Sequence, residues 1–395
     1  MSEIKVNSIK GVGASTAAIT VNNTDGTCTA NLTNRTNKNL IINGAMQVAQ
    51  RGTSGTNSGY GTVDRFKVQH SGTDEAPTQA QVDIASGTTP YTLGFRKCLK
   101  MTNGNQTSGA GAADRVFTTY GVEAQDLATS GWNYTSSSSY VTLSFWVKSS
   151  VAQTFHGYLS TQDGTQQGYS FETGSLTANT WTKVTKTIPG NSNITIDNDN
   201  GSGLSLIIGV YWGTNYTDAG NTMNQWAAYS STSRMPDNIT TWYTTNDATL
   251  EFTGVQLEVG DTATSFEHRS FADELLRCQR YYFKFHPDDA GDTDSFCWAG
   301  KGAGSSGVDY NFILPCPLRA SPTINLDTSG GGNVRATKGT SGNGTSTTNP
   351  TVSGFNIHYP FICLRQLGFS GMSDNVVSMV SLSSTGVFIE FTAEL

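Results

Sequence analysis

Catalytic signatures are missing from the sequence, which contains no GxSxG, HExxH or P-loop pattern. Two carboxylates facing one another could hydrolyse a glycosidic bond, and Asp288 and Asp289 are adjacent acidic residues in a polar turn. The five histidines are scattered without metal-ligand spacing, at His70, His156, His268, His286 and His358. We therefore expect no enzyme activity, no metal centre and no cofactor. A polysaccharide-degrading activity is the less favoured alternative, since no long β-helical repeat is visible.

One acidic segment could bind a cation. Asp197, Asn198 and Asp199 precede Asn200 and Gly201, and oxygen ligands at alternating positions suit Ca²⁺. The spacing of a calcium-binding EF-hand loop is not met, because Gly201 stands where a third Asp or Asn should be. A solvated turn is the favoured interpretation, and a metal loop is the alternative.

Aromatic residues in a polar stretch are the best candidates for a binding site. Sugars present C–H faces that stack on aromatic rings and hydroxyls that bind amides and carboxylates. The candidates for glycan binding are Tyr211, Trp212, Tyr216, Trp226 and Trp242, with Tyr243 beside them. Core packing is the alternative for each of these rings. Trp146 and Trp181 lie in apolar alternation and are predicted to be core residues.

The composition favours a folded β protein. Charged residues make up 14% of the 395-residue chain, against about 25% in typical soluble domains. Thr, Ser, Asn and Gly replace them, which suits strands joined by polar turns. Seven Trp, 15 Tyr and 18 Phe argue against disorder.

Charge and hydropathy exclude several classes of partner. A net charge of −7 disfavours nucleic-acid binding. No apolar stretch reaches 18 residues, so no membrane insertion is expected. The first residues lack the apolar core of a secretory signal, so assembly in a cytoplasm is expected. The six cysteines form no CxxC pair, and reduced thiols are favoured over a disulfide framework or a zinc site.

Alternating patterns predict the elements that must position these residues. Strands are expected at 140–148, 181–188, 204–212, 250–260, 310–315, 377–382 and 386–395, with a further buried strand at Leu40, Ile41 and Ile42 followed by a turn at Asn43 and Gly44. The short polar alternations within residues 1–38 predict thin strands that bury little in one copy; an oligomerisation or docking arm is favoured over a floppy terminus.

A helix is predicted from Ser270 to Phe283, with Ser270 as its N-cap. Its apolar face is predicted to contain Phe271, Leu275, Cys278 and Tyr282. Such a short helix needs a partner surface, either on its own sandwich or around a three-fold axis, and some contact with the axis is favoured. Between Gly330 and Pro350 the chain is rich in Gly, Ser, Thr and Asn, which predicts a long loop that is a candidate for receptor contact.

Several motifs carry a resemblance to known proteins. "SEIKVNSI", "NLIINGAMQVAQRG", "VDRF", "FADELLRCQRYYFKF", "CPLRASPTI" and "EFTAEL" resemble segments of tail-fibre and virion structural proteins of tailed bacteriophages. "LSFWVKSS", "TWTKVTKTIPG" and "VQLEVG" followed by "ATSFEHR" together resemble jelly-roll carbohydrate-binding modules. The resemblance covers most of the chain and is strongest in residues 39–66 and 250–283.

The resemblance implies a mainly β architecture in five parts. These are an N-terminal virion-docking and trimerisation arm (1–38), a connecting strand and turn motif (39–66), an antiparallel jelly-roll β-sandwich (67–265), one short α-helix (266–286) and a C-terminal distal β domain (287–395). The implied protein is a homotrimeric tail-fibre subunit of the virion, docked through its arm on a phage tail or capsid protein and attaching to a host surface glycan or other receptor. The alternative is a capsid-attached fibre or decoration protein, with a polysaccharide-degrading tailspike less favoured.

Overall fold

The fold is mainly β, as predicted, and its sheets are antiparallel. The computed structural model describes residues 6–9, 19–21, 28–30, 37–285, 296–327, 334–338, 345–347, 351–358, 361–369, 371–382 and 388–395. The helices within these residues are short, and none is long and apolar enough to cross a membrane.

A small sheet lies near the N-terminus, where the polar alternation predicts thin strands. It contains β1 (Ser8–Ile9), β2 (Ile19–Val21) and β3 (Cys28–Ala30), paired in that order. Ile9 is 54% exposed, so this sheet leaves apolar surface in contact with solvent.

Two six-stranded sheets form the jelly-roll sandwich. In chain order, its strands are β4 (Ser54–Gly55), β5 (Lys67–Ser71), β6 (Thr78–Asp83), β7 (Lys97–Thr102), β8 (Arg115–Glu123), β9 (Tyr140–Ser149), β10 (Thr154–Thr161), β11 (Gln167–Ser175), β12 (Thr182–Pro189), β13 (Ser202–Trp212), β14 (Trp226–Ala228) and β15 (Thr249–Val259). Sheet A has the order β12-β9-β15-β7-β6-β4, and sheet B has the order β14-β11-β10-β13-β8-β5. Short helices connect some strands: α1 (Thr89–Thr92), α2 (Ala124–Ala128) and α3 (Thr241–Thr244).

Alternating apolar residues from both sheets meet in the core. Leu143 and Phe145 of β9 are fully buried there and face residues such as Leu206 of β13. Each buried side chain of this size contributes about 1.5–3 kcal/mol relative to exposure. The prediction that Trp146 and Trp181 are core residues is wrong, because both lie half-buried on the outer face of sheet A.

The segment after residue 38 contains no strand at Leu40, Ile41 and Ile42, contrary to prediction. Ile41 is fully buried, but the backbone N–H of Ile41 donates to the Asn39 side chain instead of to a neighbouring strand. Of the three residues predicted to be buried, only Ile41 is, and Leu40 and Ile42 are half-buried. Side chains accept the N–H groups of Ile41 and Ile42, whereas Leu40 N donates to Leu257 O of β15 at 2.9 Å, so no regular ladder of backbone hydrogen bonds forms.

The predicted turn at Asn43 and Gly44 is confirmed, and Met46 N donates to Asn43 O at 2.8 Å. The Asn43 amide then binds two carbonyl oxygens, those of Val48 and Asp64, at 2.9 Å each. This turn therefore holds together two segments of the connecting motif.

Helix α4 (Phe271–Gln279) begins where it is predicted, with Ser270 Oγ accepting Asp273 N–H at 3.2 Å. It ends before the predicted Phe283, because the chain enters strand β16 (Tyr282–Phe285).

The buried face of α4 agrees only in part with the predicted one. Cys278 is buried, as predicted, but Phe271 is 56% exposed and Glu274, which was not predicted there, is buried. Glu274 accepts the backbone N–H of Asn43, which explains why a carboxylate faces inward. The helix thus packs on its own chain through a polar contact that hydrophobic periodicity could not reveal.

The C-terminal strands form two further sheets. After β16 they are β17 (Phe296–Ala303), β18 (Gly307–Ile313), β19 (Thr323–Asp327), β20 (Val334–Lys338), β21 (Thr345–Thr347), β22 (Thr351–His358), β23 (Phe361–Leu367), β24 (Val377–Leu382) and β25 (Phe388–Thr392). One sheet has the order β16-β25-β19, and the other has the order β21-β20-β24-β17-β18-β23-β22.

The predicted loop between Gly330 and Pro350 is partly strand. β20 and β21 pair within it as an antiparallel hairpin, and residues 330–333, 339–344 and 348–350 lie outside the described residues. Thr and Val at these positions favour strands despite the surrounding glycines.

The end of the chain returns to the sandwich. Glu394 forms an ion pair with Arg65 just before β5, and Tyr60 Oη donates to Leu395 O at 2.8 Å. Arg319 also donates to Glu394 O at 2.9 Å. The C-terminal residues and the sandwich therefore share a buried junction.

Candidate functional site

A bulge in β13 decides which aromatic residues reach the outer face of sheet B. The pairing of β13 with β8 shifts register between Gly209 and Tyr211. Because of this extra residue, Val210 and Tyr211 both enter the core, and Trp212 lies on the outer face opposite Arg115. Without the bulge, strand alternation would exchange the faces of these two rings.

Trp212 is the centre of a second aromatic cluster on this outer face, here called the outer cluster. It consists of Phe117, Tyr158, Ile207, Trp212, Tyr216, Tyr229 and Met235. The Trp212 ring is stacked on Phe117 with centroids 4.3 Å apart, and Tyr216 meets it edge-on at 5.4 Å. The Trp212 side chain is 2% exposed, so its ring packs beneath the groove and has almost no free face for a ligand.

Two arginines lie on the outer cluster. The guanidinium of Arg234 is 4.8 Å from the Trp212 ring centroid, and that of Arg115 is 5.1 Å from the Tyr216 ring centroid. Arg234 Nε donates to Tyr229 Oη at 2.9 Å, while its Nη1 is buried and has no hydrogen-bond partner among the described residues. Cation–π contact holds both arginines at the surface of sheet B.

Burial controls the ionisation of the neighbouring groups. Burial is the main cause that raises the pKa of Tyr158 well above its usual value, and the adjacent Tyr229 adds to the rise. Burial also lowers the pKa of His156. At neutral pH, Tyr158 is therefore a neutral hydroxyl and His156 an uncharged imidazole, and the arginines supply the positive charge.

An open groove of about 230 Å³ runs over the outer cluster. Arg115, Tyr229 and Arg234 form part of its wall, and Gln162 and Gln166 lie beside them. Gln166 Nε2 donates to Gln162 Oε1 at 3.2 Å, which orients both amides. Amides, hydroxyls and guanidinium groups beside a tyrosine ring are suited to hydrogen-bonding a sugar while one of its faces stacks.

The structure brings together some of the predicted glycan-binding residues and separates others. Trp212 and Tyr216 belong to the outer cluster. Tyr211 and Trp242 are buried between the sheets, where core packing was the alternative interpretation. Trp226 is half-buried at the sheet edge, and its Nε1 donates to Pro189 O at 2.7 Å.

Sequence reasoning missed the arginines of the groove. The alternation of β8 could have placed Arg115 and Phe117 on one face. Nothing local to Arg234 indicates its position, because it lies in an irregular segment after β14.

The acidic segments offer no catalytic or metal geometry within the described residues. No Asp or Glu is among the residues that line the groove, whereas glycoside hydrolysis usually requires two. Gly201 N donates to Asp199 Oδ1 at 2.8 Å, as in a hydrogen-bonded turn. Within the described ranges, no group of three or more His, Cys, Asp or Glu could hold a metal. Asp288 and Asp289 lie outside those ranges.

Comparisons with known proteins give remote similarities. No family model and no curated protein matches the chain. Among solved structures, the enzymatically active domain of tailspike protein 4 from bacteriophage CBA120 is similar at 11% identity and a TM-score of 0.31, over 56% of this chain and 21% of that one. The chain thus covers about a fifth of the tailspike.

A putative sugar binding protein and a cellulose-binding domain are similar at the same level. A putative sugar binding protein from Bacteroides thetaiotaomicron is 12% identical, with a TM-score of 0.31, over 56% of this chain and all of that one. The N-terminal cellulose-binding domain of Cellulomonas fimi β-1,4-glucanase C is 10% identical, with a TM-score of 0.26, over 55% of this chain and 99% of that one. At TM-scores of 0.31 and below, these similarities are too remote to indicate a binding site or a function for this chain.

Proposed function

We propose that this protein is a structural attachment subunit that binds glycans through the groove on sheet B. The main support is that one groove is lined by the Tyr229 ring together with four polar side chains, those of Arg115, Arg234, Gln162 and Gln166. These groups can hydrogen-bond sugar hydroxyls and stack on a sugar face without any group positioned for bond cleavage. A neutral or acidic surface polysaccharide is the ligand class that this lining suits.

Binding of the purified protein to surface polysaccharide tests the groove. Arg115→Ala and Gln166→Ala should each weaken binding, by about 10-fold for the arginine because hydrogen bonds to a charged group are worth about 1.5–3 kcal/mol. Gln47→Ala is the control, since Gln47 is a half-buried glutamine of the connecting motif and does not line the groove. Unchanged affinity in both groove variants would rule out this site.

The non-enzymatic part of the proposal has a separate readout. Incubation with the same polysaccharide should release no reducing ends while the protein remains bound. Release of oligosaccharides would support the tailspike alternative instead.

We further propose that the subunit belongs to a phage fibre, forms a homotrimer and docks on the virion through residues 1–38. The motifs quoted from the sequence support the fibre assignment. The small sheet of β1, β2 and β3 supports a docking role, because its exposed Ile9 would gain a core by packing against other chains. Immunogold labelling of intact virions with an antibody to this chain should mark the tail, and label on the head alone would favour the capsid-fibre alternative.

A further inference from the structure

A second pocket, of about 400 Å³, lies on the outer face of sheet A. It is separate from the groove, because the two sites are lined by different sheets of the sandwich. Its walls come from strands β9 and β12, the turn after helix α1 and the segment that follows β15. This segment is tied down where Glu267 N donates to Gln256 Oε1 at 2.8 Å.

Trp146 forms one wall of this pocket, and strand alternation explains its direction. Phe145 and Val147 face the core and are at most 1% exposed, so Trp146 between them faces outward. Its indole is half-buried. Unlike Trp212, it therefore retains ring surface that a ligand can contact.

Three packed rings form a second wall. Phe95, Phe266 and His268 lie with their centroids 4.9–5.1 Å from one another. The Phe95 ring sits against Gly254, which has a φ of 64° and no side chain; a Cβ there would be 2.7 Å from Phe95 Cζ. The bulge in β15 at this glycine thus creates the space in which the ring wall is packed.

Lys183 supplies a positive charge at the rim. It lies directly opposite Trp146 in the antiparallel pair β12–β9, at a distance where cross-strand side chains interact. On the same sheet, Lys97 and Lys148 are paired with Asp83 and Glu251 at 2.7 and 2.8 Å. Lys183 has no carboxylate within 4 Å among the described residues, so its charge is available to a ligand.

Hydroxyl groups complete the lining. Ser144, two residues before Trp146 on the same face of β9, lies in the pocket, and Ser265 borders it. The pocket therefore combines a half-exposed indole, an unpaired ammonium group and neutral hydrogen-bonding groups. An apolar ligand or a neutral sugar would carry no negative charge to pair with the ammonium group of Lys183.

We propose that this pocket binds a single carboxylated sugar residue. The C–H face of the pyranose ring would lie on the Trp146 indole, and the carboxylate would accept hydrogen bonds from Lys183 Nζ. Ser144 and Ser265, which line the pocket, would supply hydrogen-bonding groups for the remaining hydroxyls. The inference does not rest on the groove, because none of these residues lines it.

Titration of the purified full-length chain with sodium D-glucuronate and with D-glucose, followed by saturation-transfer NMR, tests the proposal. The wild-type protein should bind glucuronate about 2- to 5-fold more tightly than glucose, since an ion pair with an exposed lysine contributes up to about 1 kcal/mol. Lys183→Met should remove this preference and leave the affinity for glucose unchanged. Trp146→Ala should weaken binding of both sugars by at least about 10-fold.

Three comparisons make the result decisive. Lys186→Met removes a lysine of the same strand that does not line the pocket, and it should bind as the wild type does. Circular dichroism shows whether Trp146→Ala is folded. If Trp146→Ala does not fold, Lys183→Met still tests the site, because it changes an exposed residue. Arg115→Ala should leave glucuronate binding intact even if it abolishes polysaccharide binding by the groove. Loss of glucuronate binding in Arg115→Ala, wild-type affinity in Lys183→Met, or no binding by the wild type would each overturn the proposal.

Discussion

Arg65 and Glu394 form a buried ion pair between residues 329 positions apart in the sequence. The side chains are 1% and 4% exposed. Arg65 Nη2 also donates to Gly121 O at 2.8 Å, and its guanidinium lies 3.4 Å from the Tyr281 ring centroid. Without Glu394, Arg65 would be a desolvated charge with no carboxylate partner. Glu394 has a second cation beside it, since Arg51 Nη1 lies 3.2 Å from Glu394 Oε1.

Removing one partner of this pair should destabilise the protein strongly. We expect Glu394→Ala to lower the free energy of unfolding by about 3–5 kcal/mol, since it leaves Arg65 charged and buried. Asp273→Asn is the control; the pair of Asp273 with Arg277 is partly exposed and is worth about 0.3–0.5 kcal/mol. Urea denaturation followed by fluorescence measures both, and equal midpoints for the two variants would contradict the expectation.

Asp64, beside this pair, should make stability depend on pH. Burial raises the pKa of its carboxyl to about 6, although Gln50 and Arg51 partly oppose the rise and Glu394 adds to it. The folded state then binds a proton more tightly than the unfolded state does. The resulting stability is fully present below about pH 4 and is lost as the pH rises through about 6.

The free energy of unfolding of the wild type should therefore increase relative to that of Asp64→Asn by about 1 kcal/mol between pH 7 and pH 5. The difference between the two proteins removes the contribution of other carboxylates. Thermal unfolding at several pH values measures it. A constant difference would show that Asp64 has an ordinary pKa in the folded protein, and a change in the opposite direction would show a lowered one; either would contradict the expectation.

Gly44 should tolerate no side chain. A Cβ at this position would be 2.1 Å from Val255 O, the carbonyl of a central strand of sheet A. We expect Gly44→Ala to cost more than about 3 kcal/mol, because the strand or the turn must move. Gly55→Ala should be neutral, since nothing lies within 4 Å of its Cβ position. Similar melting temperatures for the two variants would argue against this packing.

The parts of the fold that were predictable from the sequence depend on neighbouring residues. The alternation in β9 and β13 and the cap at Ser270 are local patterns, and the structure has these elements where they were predicted. The inward-facing Glu274 was missed because its partner, the backbone of Asn43, lies 231 residues away. Long-range polar contacts leave no periodic signal.

The candidate site was predictable only in part for a related reason. An aromatic-rich segment marked the region, but the bulge between Gly209 and Tyr211 decided which ring faced outward. Trp146 was placed in the core because its neighbours are apolar, although a strand alternates faces at every residue. A bulge reverses the face to which the following residues point, and a sheet with apolar residues on both faces does not show which of them are in the core. Residue types alone reveal neither.

The outer face of the C-terminal seven-stranded sheet should be a contact between copies of the chain in the proposed trimer. Ile313 and Phe361 are directly paired across β18 and β23 and are 66% and 48% exposed. Val377 of β24, in the same sheet, is 70% exposed. Exposed apolar patches of this kind commonly mark interfaces, and three copies could cover one another's patches.

Light scattering after size-exclusion chromatography should give three times the 42.1 kDa mass of one chain for the wild type. Replacing Ile313 and Phe361 together by Lys should yield monomers or a concentration-dependent mixture, because two charges would be buried at each contact. Ile239→Lys, at a 47% exposed position in the sandwich, should remain trimeric. A monomeric wild type would refute the trimer, whereas a trimer that survives the double replacement would place its contacts on another surface, with the N-terminal sheet of β1, β2 and β3 the next to be tested by deletion.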